Sequence, residues 1–269
     1  MDATHSYWHP QKADSPLYPD LIWSQPENKN QAGKLLIVGG NAQGFSAPAK
    51  AYELSTKAGV GSIKVALPDS LEKSLKSSLE DAVFCPSTPS GSFASRGLAE
   101  LIDYSGWSDL AMLCGDFGRN SETAILLERF TEEYKGSLSI TKDGLDYFTT
   151  NPSKLISRPN TLIVGTIAQL QKISIKASPA KPILFSMGLL QLVEALHDLT
   201  HEYPIALITM HENNLLTAFN GQVSSTILPK PIERWRVEIT SYGSVWWLQN
   251  AGKLFEATAI GAASFVQNI

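Results

Sequence analysis

Cysteine is scarce in this chain of 269 residues: Cys85 and Cys114 are the only two. They cannot form a disulfide framework. Each sits within or beside an apolar run, Ala82-Val83-Phe84 or Ala111-Met112-Leu113, and reads as a buried thiol of a reducing compartment. Long apolar runs are missing too. No stretch approaches the ~18–20 uninterrupted residues that a spanning helix needs. The first five residues have neither a basic nor an apolar region of the secretory kind, so a cytoplasmic protein without a signal peptide is expected. There is no excess of positive charge: 22 Lys and Arg face 26 Asp and Glu, for a net charge of −4. Neither nucleic acid nor an anionic membrane is therefore an expected partner. A G-x-S-x-G elbow is lacking, as is a Gly-Lys-Ser/Thr after a glycine loop, which leaves serine hydrolases and Walker-type NTPases without support. With 43% hydrophobic and 18% charged residues, the chain has ample material for one sizeable core.

Residues 1–30, with Trp8, Pro10, Pro16, Pro19, Trp23 and Pro26 and little periodicity, read as an extended arm. Its aromatics would pack on the domain formed by residues 31–269 or on a neighbouring subunit. From Lys34 the pattern is regular. Leu35–Val38, Ile63–Leu67, Ala82–Cys85, Asp109–Cys114, Ser137–Ile140, Thr161–Val164, Ile183–Phe185 and Ile205–Thr209 read as strands, many of them apolar throughout, as befits a sheet covered on both faces. Between them, helical spacing is visible from Ser46 to Ala58, at Leu71–Leu79 and Leu98–Ile102, and from Ser121 to Tyr134. It recurs at Ile167–Ile173 and Leu189–His201. Leu215–Phe219, Gln222–Ile227 and Trp235–Ile239 read as late β segments with Asn220-Gly221 as a hairpin turn, and a last helix runs from Ala251 to Val266. This alternation predicts a three-layer α/β sheet with a late antiparallel addition.

Two loops attract chemistry. Gly39-Gly40-Asn41-Ala42-Gln43-Gly44 joins a buried strand to a helix, where backbone N–H groups can face an anion. It is not a dinucleotide fingerprint, because Asn41 stands where the second glycine belongs. Gly115-Asp116-Phe117-Gly118-Arg119-Asn120 repeats the arrangement, and Asp116 is a candidate base or metal ligand beside the reading of a solvated loop carboxylate. His197 and His201 share a helix face, but a solvated face is favoured over zinc because no third ligand is evident. Lys230, Arg234 and Arg236 alternate with Glu233 and Glu238 and read as mixed surface.

The order of these features resembles the ADP/ATP-dependent NAD(P)H-hydrate dehydratases, ribokinase-like enzymes that repair hydrated nicotinamide cofactors. The resemblance rests on Ala32–Asn41, on Gly44-Phe45-Ser46-Ala47-Pro48 and on Ala58–Ala66. Cys114–Arg119 is similar to the family's Gly-Pro-Gly-Leu-Gly loop, and Thr141–Leu145 to its Asp-Ala-Asp-Ala-Leu segment. It implies a ribokinase-like α/β/α sandwich, mostly parallel with late antiparallel strands, and an oligomeric state. It further implies ATP or ADP as the nucleotide, with Mg2+ as its counter-ion where one is used. Gly40, Asn41, Gly44, Ala47 and Gly118 would contact substrate, Gly243 and Ser244 nucleotide, and Asp143 and Asp116 would carry proton chemistry. The departures matter as much. Ile163 stands where the family has histidine, Thr209-Met210-His211 replaces a Lys-Gly, and Trp246 falls at the general acid–base aspartate of the Gly-Ser/Thr-Gly-Asp motif. An indole cannot fill that role, and losing such a group costs about 10²–10⁴ in rate. Two expectations result: a dehydratase-like lyase with relocated chemistry, or a catalytically inactive homologue kept for ligand binding or assembly.

Overall fold

The computed structural model describes residues 5–269; residues 1–4 of the expected arm lie outside it. One ten-stranded sheet organises the chain, in the order β1-β10-β9-β8-β7-β6-β5-β2-β3-β4. The strands are β1 (Trp8–Gln11), β2 (Lys34–Gly39), β3 (Ser62–Pro68), β4 (Ala82–Cys85), β5 (Leu110–Gly115), β6 (Ser137–Thr141), β7 (Thr161–Val164), β8 (Ile205–His211), β9 (Asn214–Phe219) and β10 (Gln222–Ile227). From β4 across to β8 every adjacent pair is parallel. β9 runs against both its neighbours, and β1 pairs parallel with β10.

Helices cover both faces, which explains the apolar central strands. Leu36 and Val38 of β2 point to one core and Leu35 and Ile37 to the other, all fully buried. The first layer consists of α4 (Leu98–Trp107), α5 (Ser121–Glu133), α7 (Ser153–Ile156), α8 (Ile167–Ala177) and α9 (Leu189–Glu202); the second of α1 (Pro19–Trp23), α2 (Ser46–Lys57), α10 (Arg236–Gln249) and α11 (Leu254–Gln267). The short α3 (Glu72–Leu75) and α6 (Lys142–Asp146) complete the set. The sequential path β2-β3-β4 grows outward on one side of β2, and β5 returns on the other, so the strand order reverses between β2 and β5. At such a reversal the loops diverge and leave a crevice at the strand carboxyl ends.

The structure corrects several expectations. The arm contributes an edge strand and a helix to the one sheet: Trp8 Nε1 donates to Ser225 Oγ at 3.0 Å, and Gln11 Nε2 to Thr226 Oγ1 at 2.8 Å. Ile183–Phe185 is not a strand. The N–H groups of Ile183, Leu184 and Phe185 go to side chains, Ser174 Oγ, Met187 Sδ and Gln171 Oε1, instead of a ladder, and Ile183 is buried as a single anchor. The stretch expected as a helix over 71–79 shortens to a 3-10 turn at Asp69–Leu71 followed by α3. Trp235–Ile239, with its alternating pattern, opens helix α10. That helix is buried nearly all round against α2, α11 and the sheet, so no amphipathic stripe announces it. Asn220 and Gly221 form the expected hairpin turn with φ of 49° and 73°. Among the described residues no helix is long and apolar enough to cross a membrane.

Candidate functional site at the strand carboxyl ends

The two glycine loops meet over the β2/β5 reversal. Gly40, at φ 87°, turns the chain off β2 and donates its N–H to the carbonyl of Gly115 at 3.0 Å. Asn41 and Gly44 exchange backbone hydrogen bonds at 2.9 and 3.0 Å, closing the first loop. Asn41 Nδ2 then reaches across to the carbonyl of Asp116 at 2.7 Å and stitches the first loop to the second. Gly115, at φ 112°, has no room for a side chain: a Cβ there would come within 2.8 Å of both Asp143 Oδ1 and Lys142 Cβ.

That close approach builds a compact charge cluster. Asp116 Oδ2 accepts from Ser46 Oγ at 2.9 Å and from the Ala47 N–H at 2.7 Å, at the first turn of α2. Ser46 is therefore the first helical residue, and its hydroxyl serves Asp116 instead of capping. Asp116 Oδ1 pairs with Lys142 Nζ at 2.7 Å. Asp143 turns the other way and accepts from the N–H of Asp116 at 2.7 Å with Oδ1 and from that of Gly118 at 3.1 Å with Oδ2. Asp116 and Lys142 both have left-handed backbones, at φ 60° and 51°. Non-glycine residues adopt this conformation at a cost, and only where surrounding contacts dictate it.

The two carboxyls are tuned in opposite directions. Burial pushes Asp116 up, but the Lys142 ammonium, the Ala47 amide and the Ser46 hydroxyl outweigh it and hold the group below the ordinary carboxylate value. Burial also dominates at Asp143. The two backbone amides pull its pKa back only in part, the charge of Asp116 adds to the rise, and the group lies above the ordinary value.

Adjacent residues of this cluster face different hollows. Lys142 helps to line a crevice of about 620 Å³ with Ser46, Ala47, Lys50, Arg234 and Arg236. Asp143 borders a second, of about 370 Å³, with Gly118, Arg119, Asn120, Asp146 and Tyr147. Around the second, Tyr147 Oη donates to the Gly118 carbonyl at 2.7 Å, and Asn120 caps α5 by accepting from Glu122 N at 2.9 Å. Gln169 links the two sides. Its Nε2 donates to the Lys142 carbonyl at 2.8 Å and to Asp146 Oδ1 at 2.7 Å, and its Oε1 accepts from Arg236 at 3.4 Å.

Gly40, Asn41, Gly44, Ala47, Asp116, Gly118 and Asp143 thus come together. Gly243 and Ser244 do not. Both lie inside α10, where amides are spent within the helix. Ser244 Oγ is bonded to Ser139 Oγ at 2.7 Å, and Gly243 lets α11 approach so closely that a Cβ on Gly261 would stand 2.9 Å from Gly243 Cα. Trp246 is also buried within α10, away from the rim cluster, so the alignment that placed it at an acid–base position is displaced. The expected hollow of free amides is corrected too: the N–H groups of Ala47, Asp116 and Gly118 are all taken by the chain's own carboxylates. Ile163 is core, and His197 makes a hydrogen bond to the Gly221 carbonyl and stacks on Tyr7 at 3.7 Å. Among the described residues no group of three His, Cys, Asp or Glu side chains is placed to hold a metal ion. Sequence reasoning missed Lys50 and Lys142, and read Arg234 and Arg236 as mixed surface. The available signal was the position of Lys142, directly after a buried strand; the arginines gave none, because the helix they open reads as a strand.

No family model matches the chain, and no curated protein matches it in sequence. Solved structures match its fold. A ribokinase-like superfamily protein from Enterococcus faecalis is 13% identical over 98% of this chain and 88% of its own, with a TM-score of 0.71. A Streptococcus mutans protein is 14% identical over 90% of this chain and 84% of its own, with a TM-score of 0.66. The ADP/ATP-dependent NAD(P)H-hydrate dehydratase of Bacillus subtilis, co-crystallised with ATP and Mg2+, is 9% identical over 88% of this chain and 79% of its own, with a TM-score of 0.57.

Proposed function

The fold is ribokinase-like, and we propose that the chain binds a phosphate-bearing nucleotide, ATP, ADP or a nicotinamide nucleotide, in the 620 Å³ crevice without carrying out acid–base chemistry on it. One observation carries this reading: both oxygens of Asp116 and both of Asp143 are engaged within the chain. Each carboxylate oxygen keeps a further lone pair, but abstracting a proton from a ligand would compete with the contacts that join the loops. These carboxylates instead fix the two loops on each other. Binding falls to Lys50, Arg234 and Arg236, and to Lys142 once it leaves Asp116; their ammonium and guanidinium groups suit phosphate oxygens, against the opposing charge of Glu233 and Glu238 in the same lining. Mg2+ accompanying a nucleotide would draw most of its ligands from phosphates and water.

A second reading, an active dehydratase, draws support from the strain shared by Asp116 and Lys142. A pair held in left-handed conformations stores the energy to part when a ligand replaces one partner. One assay separates the two. Calorimetry with ATP, ADP and NADH should give saturable binding that weakens about tenfold or more in Arg236→Ala and Lys142→Ala. Incubation with hydrated NADH and ATP should recover no NADH. Turnover that Asp143→Asn or Asp116→Asn abolishes would establish the lyase, and absence of any nucleotide binding would end both readings.

A further inference from the structure

Gln169 stands in the first turn of α8, where half of its side chain has a plain structural part. Its backbone N–H donates to Thr166 Oγ1 at 3.2 Å, and its Oε1 accepts from the Thr166 N–H at 3.1 Å, which completes a capping box. Glutamate completes such a box equally well, so the cap does not call for the Nε2 group.

That group is where glutamine differs. Nε2 donates to the Lys142 carbonyl at 2.8 Å and to Asp146 Oδ1 at 2.7 Å, one bond at each end of α6. Both of its protons are spent there. Gln169 is only 6% exposed, and an amide so deeply buried is costly unless its donors are met. The two bonds pin the segment from which Lys142 projects in its left-handed conformation. The same amide reaches across to α10, where Oε1 accepts from Arg236 Nη1 at 3.4 Å. Among the described residues this is the one hydrogen bond of that guanidinium, and Arg236 joins none of the ion pairs. A neutral amide therefore holds Arg236 and leaves its charge uncancelled, whereas a glutamate at 169 would neutralise it.

We propose, resting on the nucleotide-binding reading above, that Gln169 is a positioning residue: through one amide it sets the Arg236 guanidinium and the Lys142 backbone for a phosphate group in the 620 Å³ crevice. With α6 pinned at both ends, a phosphate can draw the Lys142 ammonium off Asp116 without dragging the loop. The entropy of ordering that segment is lost on folding and not again on binding. Lys50 and Arg234 line the same crevice without a hydrogen bond to Gln169. The four cations thus divide into two that depend on Gln169 and two that do not.

The test reads ATP affinity by calorimetry on the full chain. Gln169→Met should weaken ATP about tenfold in the otherwise unaltered protein. In an Arg236→Ala or Lys142→Ala background the same change should cost about threefold or less, because one of its two targets has gone. In Lys50→Ala or Arg234→Ala it should still cost about tenfold. A purely structural residue would give one factor throughout. Should Gln169→Met fail to fold, Gln169→Glu combined with Asp146→Asn carries the comparison. That pair preserves the net charge, the capping box and a bond to residue 146, but cancels the Arg236 charge and loses the donor to Lys142. It should weaken ATP by a similar factor with the same dependence on background. Equal losses in all backgrounds, or no loss at all, would overturn the positioning role while nucleotide binding stands. No ATP binding by the unaltered protein would overturn both.

Discussion

Buried charge is handled in two ways at the two ends of the sheet. At the carboxyl ends, Asp116, Lys142 and Asp143 answer one another and the backbone amides around them, at the cost of two left-handed residues. At the amino ends, the buried Arg158 has no carboxylate partner among the described residues. Its guanidinium donates instead to the carbonyls of Thr131, Tyr134, Gly136, Pro159 and Asn160 and to Thr161 Oγ1, and it lies over the Tyr134 ring. Carbonyl dipoles fixed by the fold solvate the arginine, with one left-handed residue, Asn160 at φ 52°, among the acceptors. The acidic cluster needs strained turns to gather its donors. Both ends thus use left-handed backbone beside a hollow: Arg158 borders one of about 460 Å³, and the acidic cluster stands between two others.

Five substitutions probe that contrast, from the largest expected loss to the smallest. Arg158→Met strips several carbonyls of their donor at once and should cost on the order of 4 kcal/mol in urea unfolding. Arg158→Lys should rescue little of it, since an ammonium lacks the planar fork. Gly115→Ala places a Cβ against Asp143 and Lys142 in a conformation that L residues rarely adopt, and about 3 kcal/mol should be lost. Asp143→Asn turns an acceptor into a donor facing a backbone N–H, for a loss of about 2 kcal/mol. Asp116→Asn keeps one acceptor for Ser46 and Ala47 but removes the charge that balances Lys142, and about 1 kcal/mol is expected.

The pH dependence of the last two sharpens the comparison. Asp116 is held below its ordinary value of 3.8, so the stability it contributes is complete above that pH and disappears as pH falls further. The penalty of Asp116→Asn should therefore grow from pH 2 to pH 5. Asp143 is raised above 3.8, so its contribution is complete below that value and declines as pH rises through the folded-state pKa. The penalty of Asp143→Asn should shrink over the range in which the other has levelled off. Unfolding midpoints of the three proteins at half-unit pH steps check both slopes, and parallel profiles would contradict the opposite tuning.

Most of the parallel strands were legible in the sequence as largely apolar runs, uninterrupted and closed by a turn residue at Leu35–Gly39 and Leu110–Gly115; β1 was not, since Trp8–Gln11 carries no such run. The meeting of the two glycine loops was legible as well, since consecutive βα turns of an open sheet share one rim. What local pattern could not reveal was who satisfies whom. That Asp143 belongs to the amides of Asp116 and Gly118 depends on a contact across 27 and 25 residues. Helix α10 was hidden because its alternating start, Trp235-Arg236-Val237-Glu238-Ile239, has strand periodicity, while burial on all sides removes the polar stripe that marks a helix. Gly243-Ser244 showed the same weakness in a motif: two residues suited to an anion loop serve helix packing once they fall in mid-helix.

The position of β1 has a consequence for how the chain assembles. Gln11 meets Thr226 across 215 residues, so the outermost strand is made well before its partner and has no docking edge until β10 exists. During translation that segment, with Trp8 and its neighbours, must wait unpaired until β10 emerges, and closing so long a loop is slow. Until it docks, the flank of β10 presents open N–H and C=O groups to any other extended chain. The interval between the making of β10 and the seating of β1 is when this edge is most exposed to aggregation.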